Sequence, residues 1–147
     1  TRSAARLAAA QALYQIQATD VSADGVIAEF SARRFGREID GALYAPADED
    51  LFSDIVRGVE AGREKIDGLI GQALDRGWKL DRLERIIRAL LQAGTYELRS
   101  ELATPAAVII NEYVDLAHAF YGEGEPRFVN GVLDRLAGEI RAPVKKP

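Results

Sequence analysis

Helical periodicity is the feature of this sequence that most limits its possible folds. Apolar side chains recur at spacings of three and four residues along most of the chain, as in helices with one buried face. The clearest stripes lie within residues 66–74, 83–98 and 129–140. We find no convincing alternation of apolar and polar residues of the kind that predicts strands. The pattern therefore predicts an all-α protein.

Helix start and stop signals divide the chain into segments. Thr104 followed by Pro105 is typical of a helix N-terminus, and so is Pro46 followed by acidic residues. Segment 122–126 predicts a loop, and Pro143 predicts the end of the last helix. We expect helices near residues 3–18, 22–35, 47–75 (kinked or broken near Gly62), 82–99, 105–121 and 126–141.

Composition agrees with a small globular protein. The chain has 147 residues, of which 48% are hydrophobic and 29% charged, as is typical of one soluble domain. We therefore predict a compact bundle of six to seven helices that forms a single domain over residues 1–147. The absence of cysteine excludes disulfides and thiolate chemistry, and no apolar run is long enough for a membrane span. A cytoplasmic location without membrane contact is expected.

The charge distribution leaves nucleic-acid binding open despite a net charge of −4. Arg2 and Arg6 precede the first carboxylate, Asp20, and the tail after Ile140 contains three cations and no acid. These two ends carry +5, which leaves −9 for residues 20–140. Because phosphate binding depends on local basic surface, the termini could together form such a surface. They could equally be two solvated chain ends.

The first helix places its arginines on one side. At about 100° per residue, Arg2, Arg6 and Gln17 fall within a wedge of roughly 60°. The rest of this helix is mostly apolar, which predicts burial against several neighbours. We therefore expect the two arginines to emerge together through a narrow slot at the surface.

A search for catalytic residues is largely negative. Residues 36–41 have the glycine spacing of a phosphate-binding loop, but Ala42 and Leu43 stand where lysine and serine or threonine are required. His118 is the only histidine and lies in an apolar helical region, which is typical of a packing or surface residue. No nucleophile, base and orienting group occur together. We predict a protein that is not an enzyme and has no cofactor or metal site.

Three motifs occur in a characteristic order along the chain. Residues 4–15 read AARLAAAQALYQ, residues 103–117 read ATPAAVIINEYVDLA, and residues 127–134 read RFVNGVLD. Between them, residues 83–98 form an apolar helix that ends in TYEL. Together these segments resemble the NusB family over essentially the whole chain.

The resemblance implies a helical fold without a cofactor and a role in transcription antitermination. Members of the family bind boxA RNA, a single-stranded control element of nascent ribosomal RNA transcripts, together with the ribosomal protein NusE. The pair helps RNA polymerase, within an antitermination complex, to read through terminators. Some members are monomers and others pair into dimers, so a homodimer remains open here.

The resemblance also assigns roles to individual residues. RNA contact falls on two arginines and three aromatic residues, namely Arg2, Arg6, Tyr14, Phe120 and Phe128. Cations and aromatic faces are the groups that hold single-stranded RNA, although Phe128 fits an ordinary core position nearly as well. Glu84 is expected on the surface that meets the basic NusE.

We expect Arg6→Ala to weaken RNA binding and leave the fold intact. For Asn111 and Asn130 we favour buried hydrogen bonding or helix positioning over base reading.

Two further hypotheses remain open. The family usually opens with several consecutive arginines, whereas this sequence has only Arg2 and Arg6 there. Either a basic arm precedes Thr1, or RNA affinity is weaker because fewer phosphates are neutralised. In the second case the chain could be a protein adaptor that binds NusE and has little RNA affinity. The other hypothesis is a NusB-like accessory domain of a ribosomal RNA methyltransferase.

Overall fold

The computed structural model describes residues 2–33, 38–39, 42–43, 46–75 and 79–141. The prediction of an all-α bundle is confirmed, and this part of the chain contains seven α-helices. They are α1 (Arg2–Thr19), α2 (Ala23–Arg33), α3 (Pro46–Ala61), α4 (Arg63–Ala73), α5 (Arg85–Ser100), α6 (Ala106–Phe120) and α7 (Gly124–Ile140).

Two short features differ from the predicted segmentation. Strands β1 (Glu38–Ile39) and β2 (Ala42–Leu43) pair antiparallel between the helices predicted near residues 22–35 and 47–75, where no strand was expected. Strands of two residues are too short to show alternation in the sequence, which is why the search for strands did not find them. Residues 80–82 form a 3₁₀ turn, so α5 begins at Arg85 and not near residue 82.

The predicted break near Gly62 is present. Helix α3 ends at Ala61 and α4 begins at Arg63, with Gly62 between them at φ −105° and ψ 19°. The amide of Ile66 still donates to the Gly62 carbonyl at 2.9 Å, so the hydrogen-bond pattern resumes directly after the break. The interruption changes the direction of the chain and lets α4 pack against α5 and α7.

Helices α1 and α5 lie at the centre of the bundle. Helix α1 packs against α2, α3, α5 and α6, and α5 packs against α1, α3, α4, α6 and α7. Alanines on α1 are buried, which allows its neighbours to approach closely, and Gly94 of α5 has the same effect beside Leu133. The buried side chains form one hydrophobic cluster. Among the described residues, no helix is both long and apolar enough to cross a membrane.

The helix directions decide which residues share an end of the bundle. Arg6 of α1 contacts Glu97 of α5, whereas Gln17 of α1 contacts Gln92, so these two helices run in opposite directions. The short turn over residues 101–105 joins α5 to α6 as an antiparallel pair. Helices α1 and α6 therefore run in the same sense.

Candidate nucleic-acid interface

Arg6 is buried, so the prediction that it emerges at the surface is wrong. Its side chain is 4% exposed and that of Glu97 is fully buried. Arg6 Nε donates to Glu97 Oε2 at 2.8 Å and Nη2 donates to Oε1 at 2.9 Å. The planar guanidinium matches both carboxylate oxygens, and this pairing keeps the charge inside the bundle.

Two neighbours complete this buried cluster. The Tyr113 hydroxyl of α6 also donates to Glu97 Oε2, and Arg6 Nη1 lies 3.6 Å from Glu112 Oε2. Burial alone would lower the pKa of Arg6, but hydrogen bonding and attraction to Glu97 raise it overall. Burial and the Glu97 charge raise the pKa of Tyr113 well above its ordinary value. The cluster therefore holds a charged arginine and a neutral tyrosine, and it fastens α1 to α5 and α6.

Arg2 lies in the first turn of α1, on the protein surface, and does not form a common site with the buried Arg6. It is exposed and lines a hollow of about 270 Å³ with Leu51 and three carboxylates, Asp50, Asp54 and Glu101. These acidic neighbours attract the Arg2 guanidinium and repel a phosphate. The structure therefore does not show the joint arginine slot that the helical wheel predicted.

The partly buried Arg141 also forms its hydrogen bonds within the protein. Its guanidinium donates to three backbone carbonyls, those of Leu98 at 2.9 Å, Thr104 at 2.6 Å and Glu101 at 2.7 Å. The Leu98 and Glu101 carbonyls lie at the C-terminal end of α5, where helices leave acceptors unsatisfied, and the Thr104 carbonyl lies in the turn before α6. Arg141 therefore caps α5 and is not an available cation of the basic tail. The tail lysines lie outside the described residues.

Tyr14 and Phe120 lie toward one end of the bundle. Tyr14 is 39% exposed and Phe120 is 40% exposed. Tyr14 follows Arg6 by eight residues, and Phe120 follows Glu112, a contact of Arg6, by the same number. Since α1 and α6 run in the same sense, both rings lie about 12 Å further along the bundle. We call this the aromatic end, and it also contains the start of α7.

Phe128 and Glu84 also meet at the aromatic end. They line a hollow of about 340 Å³ together with Leu83 and Ile87. Phe128 is half-buried against the core, and a second hollow of about 330 Å³ exposes part of it beside Arg127. Phe128 is therefore both a core residue and a surface residue. Arg2, by contrast, lies about 18 Å from Tyr14 along α1, near the opposite end.

The two asparagines are exposed, so the expectation that they are buried is wrong. Asn111 lies outside the buried stripe of α6, and Asn130 lies outside that of α7. Arg127 is exposed beside Asn130, and sequence reasoning did not select it as a site residue. The signal was present, because neither residue belongs to the apolar stripe that contains Val129, Val132 and Leu133.

The geometry defines a class of protein. Exposed aromatic rings and one exposed arginine lie at the same end of an all-helical bundle. Within the described ranges, no group of three metal-ligating side chains converges. Such a surface is typical of helical proteins that bind single-stranded nucleic acid through side chains.

Comparisons with known proteins identify the family. A model described as the NusB family matches residues 3–138. The transcription antitermination protein NusB of Allorhizobium ampelinum is 50% identical over 145 residues, which cover 99% of this chain and 91% of that protein. Its counterpart in Brucella suis is 51% identical over 140 residues, 95% of this chain and 82% of that protein. The chain belongs to the NusB family of transcription antitermination proteins, which are not enzymes.

Solved structures show the same fold. The structure of T. maritima NusB matches with a TM-score of 0.80 and 31% identity, over 95% of this chain and 92% of its own. A crystal structure of antitermination factors NusB and NusE in complex with dsRNA matches with a TM-score of 0.78 and 24% identity, over 94% of this chain and 96% of the other. The predictions of family, fold and function in transcription antitermination are confirmed.

Proposed function

We propose that this protein binds boxA-type single-stranded RNA of nascent ribosomal RNA transcripts together with NusE, as part of a cytoplasmic RNA polymerase antitermination complex. The observation that carries the proposal is the aromatic end, where Tyr14 and Phe120 offer exposed rings on which bases stack. The solved structure of NusB and NusE in complex with dsRNA supports NusE and RNA as partners, and the exposed rings favour the single-stranded form.

The RNA surface that we propose differs from the one expected from sequence. Arg6 is a positioning residue, because its guanidinium is buried against Glu97 and holds the helix that bears Tyr14. Arg127, close to Phe128, supplies an exposed cation at the aromatic end. Arg2 contributes only when the bound RNA spans the roughly 18 Å along α1 that separate Arg2 from Tyr14.

Fluorescence anisotropy with labelled boxA RNA and a scrambled control tests this proposal, with and without NusE and at two salt concentrations. Tyr14→Ala and Phe120→Ala should each weaken RNA binding about 5- to 150-fold, since stacking contributes about 1–3 kcal/mol per base. Leu102→Ala, which removes a 70% exposed apolar side chain in the turn after α5, is the matched control and should leave binding unchanged. Equal losses in all three variants would contradict a stacking surface.

A second candidate function is a protein adaptor that binds NusE without appreciable RNA affinity. The hollow formed by Leu83, Glu84, Ile87 and Phe128 favours it, because an apolar floor beside a carboxylate suits a basic protein surface. Glu84→Gln should then weaken NusE binding, and no salt-sensitive RNA binding should be found in any condition. Robust ternary binding to RNA and NusE would exclude this alternative.

The relatives reported above are antitermination proteins, which favours both candidates over a methyltransferase accessory domain. A homodimer stays a prediction.

A further inference from the structure

A third hollow at the aromatic end has a chemistry of its own. We call it the Asn130 hollow; it measures about 330 Å³ and lies between α6 and the first half of α7. It is lined by Val114, His118, Glu123, Pro126, Arg127 and Asn130. Its size suits one flat heterocyclic ring and is too small for a helix of a partner protein. Arg127 lines both this hollow and the one that contains Phe128, so the Asn130 hollow adjoins the aromatic end.

Three polar side chains of this hollow have no hydrogen-bond or ion-pair partner in the part of the chain that the structure describes. Among the described residues, no side chain forms a hydrogen bond or an ion pair with Asn130, Arg127 or His118. Asparagine is a poor helix former, so an exposed Asn130 in the middle of α7 weakens the helix and adds nothing to the core. Its amide presents one acceptor and two donors to the hollow.

The charges of the hollow indicate which part of a nucleotide fits. Glu123 repels a phosphate at the rim, whereas its carboxylate can accept a hydrogen bond from an amino group. The amide of Asn130 can donate and accept side by side, as the edge of a base with adjacent donor and acceptor requires. Arg127, on the next turn, can stack on the base or hold the phosphate outside.

We propose that the Asn130 hollow receives one unstacked nucleobase whose Watson–Crick edge has an amino group beside a ring-nitrogen acceptor, adenine or cytosine, and that Asn130 reads this edge. This inference rests on the proposed RNA-binding function and adds a specificity-determining residue to it. Val114 and Pro126 form the apolar floor under the ring, and Glu123 accepts from the amino group. The stacking surface of Tyr14 and Phe120 tolerates any base, so sequence preference comes from this hollow.

The test measures base discrimination and not affinity alone. Labelled boxA-type RNAs are prepared in which each adenine in turn is replaced by purine and each cytosine by pyrimidin-2-one, which removes the amino group and leaves the ring-nitrogen acceptor in place. For the unsubstituted protein with NusE present, one position should lose roughly tenfold in affinity, as expected for one lost base-edge contact. In Asn130→Ala that position should tolerate the replacement with less than a twofold change. Gln72→Ala removes an exposed amide on α4 and should retain full discrimination.

Each outcome decides the inference. Undiminished discrimination in Asn130→Ala, with normal RNA binding by the unsubstituted protein, would overturn the base-reading role and leave the proposed function standing. Loss of NusE affinity without change in RNA discrimination would assign the hollow to the protein partner instead. Absence of RNA binding by the unsubstituted protein would overturn both proposals. Circular dichroism of Asn130→Ala should show unchanged helix content, because the residue is exposed.

Discussion

Arg6, Glu97 and Tyr113 form a polar cluster inside the bundle, and their side chains are hydrogen-bonded to one another. The carboxylate accepts from both the guanidinium and the hydroxyl, and all three side chains are withdrawn from water. Removing one member leaves a buried charge without a partner, which costs more than the intact pair contributes. The cluster is therefore sensitive to single substitutions although its net contribution to stability is small.

In contrast to the expectation from the sequence that this variant leaves the fold intact, Arg6→Ala should lower the free energy of unfolding by about 3–5 kcal/mol, because it leaves the buried Glu97 side chain without its main partner. Urea unfolding followed by circular dichroism measures the loss. Arg2→Ala, at an exposed position, is the control and should change stability by less than about 0.5 kcal/mol. An Arg6→Ala protein of normal stability would mean that the buried pair does not hold α1 in place.

The pH dependence of stability tests the neutral state of Tyr113. Its pKa is raised in the folded protein, so the folded state keeps this proton while the unfolded chain, with a tyrosine pKa of about 10, loses it. The resulting stability is fully present below about pH 10 and is lost as the pH rises toward the folded-state pKa. The unfolding free energy should therefore fall more steeply above pH 10 for the unsubstituted protein than for Tyr113→Phe. Parallel curves from urea titrations would contradict this.

At the scale of single residues, the sequence indicated candidate residues for the site but not their environments. It selected Tyr14 and Phe120, and both are exposed rings at one end of the molecule. It could not foresee that Arg6 faces Glu97, since the two are 91 positions apart and no local pattern joins them. The exposure of Asn130 follows from the helical periodicity, because the residue lies outside the apolar stripe of α7.

Between elements, two helices approach closely at Gly58. A Cβ atom added there would overlap the ring of Tyr96, whose hydroxyl donates to Asp54 at 2.7 Å. Because α3 and α5 meet through this contact, neither the ring nor the backbone can yield without losing packing. The glycine therefore sets the distance between the two helices.

Gly58→Ala should destabilise the protein by about 1–3 kcal/mol, the usual cost of overpacking a close helix contact. Gly68→Ala, on exposed α4 with open space around the new methyl group, is the matched control and should stabilise by up to about 1 kcal/mol. Thermal unfolding of both variants gives the comparison. If both substitutions stabilise the protein, the contact between Gly58 and Tyr96 does not limit the spacing of α3 and α5.

Helix positions were largely predictable because each long helix combines an apolar stripe with a recognisable start or end. The break at Gly62 and the helix start after Pro105 follow from local chemistry. The cap that Arg141 places on α5 was not predictable, since it joins the end of α7 to a turn about forty residues earlier in the chain. Contacts of this kind depend on how the helices are arranged and have no signature in a short window.

For the whole molecule, the continuous core predicts one cooperative unfolding transition. The buried side chains form a single cluster that draws on all seven helices, so loss of one helix exposes the packing surface of others. Circular dichroism of the helices and intrinsic fluorescence of the tryptophan and tyrosines should give coincident urea transitions with the same midpoint. Two separated transitions would contradict the prediction that residues 1–147 form a single domain.

The position of the Arg6 cluster also has a consequence for the order of events during synthesis on the ribosome. Of the seven described helices α1 is translated first, but the partners of Arg6 are Glu97 on α5 and Glu112 on α6, which are translated much later. Until those segments emerge, α1 can pack against α2 and α3, but Arg6 has neither carboxylate partner. The nascent chain therefore cannot assemble the end that bears Tyr14 and Phe120 until α6 has emerged from the ribosome. An incompletely translated chain would consequently not compete with finished molecules for RNA.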